Sequence, residues 1–169
     1  MSIELADYLP CLDLHDSKAH RQALESTYNE ASRLMSPKAL QQYLLGMRAM
    51  CNLGKGDDLV LTFIQDGPQV VKEVGEDIIP DLITALMKLS SLTSGTVVTL
   101  LMANLPLAAR RLGDAEVLRG YLGLIQQLAA KVPRGLRPML GIADELLSKL
   151  TLGGLRRWAL ESCKSRQGR

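Results

Sequence analysis

Cys11, Asp13, His15 and His20 fall close together in "CLDLHDSKAH". A thiolate, a carboxylate and two imidazoles are donors that hold zinc, and a zinc ion there would brace a structure or activate a water. The spacing matches no established zinc pattern, and the second half of a tetrahedral site is missing. The stretch therefore reads as a solvated capping segment ahead of the first helix. No metal and no cofactor are expected.

Other chemistry-bearing patterns give the same answer. "LGKGDD" places Lys55 between two glycines, yet it lacks the earlier glycine of a phosphate loop and has Gly56 where that motif needs Ser or Thr. Acid pairs could share a proton in general acid–base work. Here Asp57/Asp58, Glu76/Asp77 and Asp144/Glu145 sit at helix starts or on polar faces, where the helix dipole or solvent accounts for them. There is no G-x-S-x-G and no Cys/His nucleophile arrangement. The chain is not expected to be an enzyme.

The elements that carry these residues are helical. The chain has 169 residues, 47% hydrophobic and only 4% aromatic, so Leu, Ala and Met fill the core of one domain. "SPKAL" sets Ser36 as an N-cap and Pro37 at the first helical position, where a missing N–H is harmless. Leu40, Leu44, Met47 and Cys51 then recur at helical spacing until "NLGKG" stops the run. An earlier helix is expected at roughly 17–35, carrying Ala23, Leu24, Tyr28, Ala31 and Leu34. "VGED" and "LGDAE" each offer a glycine C-cap followed by an acidic N-cap. Turns are expected near 52–57, 91–95 and 131–133. Residues 89–109 hold no charge, but their Ser, Thr, Gly, Asn and Pro content reads as a turn within a helical protein, not a membrane span.

A repeat runs through the middle. "FIQDGPQVVKEVGED" (63–77) aligns with "LMANLPLAARRLGDA" (101–115) at an offset of 38, pairing Pro68 with Pro106 and Gly75 with Gly113. Asp66 pairs with Asn104 as a capping residue. A looser copy at 128–140 puts Pro133 at the same place. Each unit reads as short helix, tight turn and longer helix, the dimension of HEAT or armadillo units. The expected architecture is all-α: an irregular HEAT/armadillo-like stack of about eight to ten helices. Residues 1–16 form a lead-in, 17–162 a single helical domain and 163–169 a basic C-terminal tail.

Charge is uneven. Residues 1–133 hold 12 basic and 15 acidic side chains, whereas 134–169 hold 8 and 3. The basic end suits an acidic protein face or solvent. Its basic residues are not interleaved with aromatics, as a single-strand binder requires, so no nucleic acid partner is expected. Arg134, Arg137, Arg156 and Arg157 are the candidate partner contacts. Trp158, in "LTLGGLRRWAL", either closes the stack beside Leu155 and Ala159 or anchors an interface. Cys11, Cys51 and Cys163 are widely spaced and odd in number, and are read as reduced thiols in a cytoplasmic protein.

"SPKALQQYLLGMRAM", "VGEDIIPDLI", "LPLAARRLGDAEVLRGYLGLIQQLAAKVPRGLRPML" and "LLSKLTLGGLRRWAL" resemble the N-terminal helical region of CbbO/NorD-type von Willebrand factor A domain proteins, over about residues 8–162. The resemblance implies a non-catalytic adaptor of a MoxR-type AAA+ ATPase hexamer. In the CbbO branch, which the texture favours, the motor acts as a Rubisco activase that removes inhibitory sugar phosphates. In the NorD branch the client is a nitric oxide reductase. The family grips its client mainly through a von Willebrand A domain whose D-x-S-x-S holds a divalent metal. No D-x-S-x-S occurs here, so that metal site transfers to no residue of this chain. The sequence ends where the family chain continues toward that domain, as an excised domain or a natural short relative would. A stand-alone helical scaffold or regulator is the alternative of a different class, and a zinc domain on Cys11, His15 and His20 is the weakest.

Overall fold

The computed structural model describes residues 5–12 and 18–131. Among them are seven α-helices: α1 (Leu5–Tyr8), α2 (Lys18–Leu34), α3 (Pro37–Asn52), α4 (Asp57–Val74), α5 (Ile79–Leu92), α6 (Gly95–Leu112) and α7 (Ala115–Lys131). A 3-10 turn, Glu76–Ile78, leads into α5, and no strand occurs among the described residues. The fold is all-α. No helix among these residues is long and apolar enough to cross a membrane, and the uncharged 89–109 stretch breaks at Thr93–Ser94 between α5 and α6.

Local signals explain the boundaries. Ser36 Oγ accepts the Ala39 N–H at 3.3 Å, and Pro37 opens α3. Gly113 closes α6 at φ 63°, a left-handed conformation that glycine adopts without Cβ strain. Asp114 Oδ1 then accepts the N–H groups of Glu116 and Val117, starting α7 as expected. Gly75 closes α4, but the acidic residues after it do not cap α5. The N-cap of α5 is Ile78, with no side-chain cap, and Glu76 turns away to accept the Ser36 N–H at 2.8 Å.

The helices pack in two rows. α2 packs on α4 and α4 on α6; α3 packs on α5 and α5 on α7. The α4–α6 contact is the most extensive. Both helices have 18 residues, and their starts, prolines and closing glycines are offset by the same 38 positions as the sequence repeat. They run parallel. Lys55 O, just before α4, lies against Gly95 at the start of α6, while Glu73 meets Arg110 at the other end. A Cβ at Gly95 would stand 2.1 Å from that carbonyl oxygen, so glycine is needed for the approach.

The repeat is real but its interior differs from expectation. Pro68 and Pro106 lie inside α4 and α6, and no turn forms at either. Asp66 and Asn104 are consequently mid-helix residues and cap nothing. Proline removes the N–H that the carbonyl four residues back would use. In α4 that carbonyl belongs to Ile64, and the buried Tyr43 hydroxyl of α3 donates to it at 2.5 Å. In α4 a tertiary bond takes the place of the lost helical one.

Asp66 is half-buried, and desolvation raises its carboxyl pKa above the ordinary carboxylate value. A raised carboxylate pKa means that ionisation opposes folding. The destabilisation is absent below the unfolded-state pKa and complete once pH exceeds the folded-state one. Asp66→Asn is therefore expected to raise the thermal midpoint slightly at pH 7 and to lose that advantage near pH 3.5. Melts of both proteins across this range check it, and an advantage that grows in acid would refute the assignment.

Candidate functional site

Every site residue expected from the sequence lies outside the described residues: Arg134, Arg137, Arg156, Arg157 and Trp158. The same holds for Asp13, His15 and Cys163, and for the His20 side chain. What the structure does place is residues 5–12 of the lead-in. Cys11 is joined to Cys51 by a disulfide, with Cα atoms 5.4 Å apart. The reading of these two as reduced thiols is corrected. A separation of 40 residues concealed a neighbour relation, because α1 folds back on α3 and brings Cys11 to the last turn of that helix. A disulfide sulfur is also no thiolate ligand, which removes Cys11 from the zinc set. Among the described residues, no group of three or more His, Cys, Asp or Glu is placed to hold a metal.

Nor is the lead-in merely solvated. Leu5 and Leu9 are buried in the core, Leu9 to 1% exposure. Arg48 of α3 donates to Asp7 O at 2.8 Å and lies over the Tyr8 ring, 5.0 Å from its centroid. No periodic pattern announces this strap, because it is only one turn long.

Along one edge, α3, the 3-10 turn before α5, and α7 begin at successive repeat positions. A polar hollow of about 190 Å³ opens there, lined by Ser36, Lys38, Gln42, Glu76, Asp77 and Pro80 among others. Beside it Arg119 of α7 reaches across one repeat. Its Nε donates to Asp81 Oδ2 at 2.8 Å, Nη1 to Glu116, and Nη2 to the Asp77 carbonyl at 3.4 Å. The hydrogen bond donated to Asp81 is the main cause that holds the guanidinium pKa above its ordinary value. Arg110 Nε and Glu73 Oε1, 3.3 Å apart, form a second strut between units. These partly exposed pairs each contribute about 0–1 kcal/mol and act mainly to fix register between units. Asp81 and Arg119 stand 38 positions apart, so the repeat itself was the signal that could have paired them.

The described residues thus define an all-α protein of stacked helices with charged struts along one edge. In comparison with known proteins, the chain matches no family model, no curated protein and no solved structure.

Proposed function

We propose that this chain is a non-catalytic adaptor domain for a MoxR-type AAA+ ATPase, of the CbbO type that serves Rubisco activation. The resemblance of "LLSKLTLGGLRRWAL" and the preceding helical stretches carries the reading. A 38-residue repeat supports it, since stacked units offer extended faces suited to docking. The accompanying fold reading is a HEAT/armadillo-like stack of about eight to ten helices. ATP hydrolysis belongs to the partner motor, and client contact mainly to a von Willebrand A domain outside this sequence. The proposed location is cytoplasmic, a compartment in which standing disulfides are rare. A Cys11–Cys51 bond that persists under cytoplasmic reducing conditions therefore counts against this location.

Interferometry against the ATPase hexamer, at low and high salt, tests this proposal. Capture is expected at low salt and weakens as salt rises, because a basic segment steers association electrostatically. Arg156→Glu with Arg157→Glu is expected to weaken capture about tenfold, near 1.4 kcal/mol, while the thermal melt stays unchanged. Capture that survives the reversal makes the arginines solvated surface. If the unmodified chain captures no ATPase, the adaptor assignment fails.

A further inference from the structure

The outer face of α6 carries an apolar seam that its repeat-mate lacks. Leu100 and Leu107 are 47% and 41% exposed, one above the other on the helix, with exposed Thr96 and Ala103 completing the stripe. One repeat earlier, the same face of α4 presents Asp58, Thr62, Gln65 and Gln69. Two helices of equal length and register, packed side by side, therefore differ in polarity along this outward stripe. Core packing does not explain that difference, because the inward faces of both are apolar and buried.

We propose that the α6 seam pairs with the same seam of a second copy, antiparallel, about a two-fold axis beside Ala103. Thr96, Leu100, Ala103 and Leu107 follow the alternating four–three spacing of a helix-pairing seam. Antiparallel pairing sets Leu100 against Leu107 on both sides of the axis, and the small Ala103 lets the backbones approach at its centre. The charges agree with this direction. Exposed Asp57 and Asp58 outnumber Lys55 at the N-terminal end of the seam on the adjacent, parallel α4, while Arg110, its side chain still 74% exposed in the pair with Glu73, ends it on α6. Two-fold antiparallel docking brings Arg110 of each copy to the other's acidic end, and a parallel arrangement would stack Arg110 on Arg110. A single-helix seam is smaller than the roughly 800 Å² per partner of a standard stable interface. The dimer is accordingly one that dissociates on dilution.

Sedimentation equilibrium of the full chain over a concentration series tests the proposal. The mass is expected to rise from monomer toward dimer. Leu100→Asp with Leu107→Asp should weaken association at least tenfold and leave the helical spectrum and melt unaltered, since both positions are exposed. With Cys163→Ser as background, Ala103→Cys is expected to form a covalent dimer on mild oxidation and Gln65→Cys is not. A monomer at every concentration overturns the proposal and leaves the seam to a different partner. A dimer untouched by the double substitution, or equal cross-linking at Ala103→Cys and Gln65→Cys, overturns it too.

Discussion

Cys11→Ser is expected to lower the stability of the oxidised protein by about 4 kcal/mol, the loop-closure entropy of a cross-link spanning 40 residues. Cys11 is exposed, so the serine itself perturbs little in the native state. The loss arises because the unfolded chain regains freedom that the cross-link denied it. Thiol reductant should lower the midpoint of the unmodified protein by a similar amount and leave Cys11→Ser unchanged. After reduction the strap still has Leu5, Leu9 and the Arg48 contacts, so helical content persists below the new midpoint. A reductant-insensitive melt would show that the bond constrains nothing.

The α4 and α6 units were legible in the sequence because the repeat preserves proline, glycine and apolar register together. Helix α3 was legible because Ser36 and Pro37 mark its start by local chemistry, independent of any distant residue. What failed had distant causes. Proline at 68 signals a break to any local rule, and only the Tyr43 hydroxyl, 21 positions away, repairs the open carbonyl. Glu76 sits where a helix cap belongs, but the Ser36 N–H, 40 positions back, claims its carboxylate. The same distance hid Cys51 from Cys11. For the candidate site, a basic tail signals charge without geometry, and its four arginines and Trp158 fall outside the described residues. The α6 seam escaped notice because Leu100 and Leu107 lie in the uncharged 89–109 stretch, where no charge pattern separates an outward leucine from an inward one.

The largest single packing effect is expected at the junction of α3, α4 and α5. Phe63 is 1% exposed, its ring 5.5 Å from that of Tyr43 and tilted by 31°. It fits there because position 46, on α3, has no side chain. A Cβ at Gly46 would lie 2.8 Å from Phe63 Cζ and 2.7 Å from Ile83 Cδ1. Phe63→Ala is expected to cost about 3–5 kcal/mol through lost apolar burial and the cavity left behind. Gly46→Ala alone should cost about 1–3 kcal/mol from overpacking, partly offset by the helix preference for alanine. The two costs should not add. With the ring removed, the alanine methyl meets open space on one side, and Ile83 can rotate away on the other. Adding Gly46→Ala to Phe63→Ala is therefore expected to be neutral or to restore up to about 1 kcal/mol. Denaturant titration of the four proteins gives the coupling directly. Simple additivity would mean that Gly46 is small for a reason other than admitting Phe63.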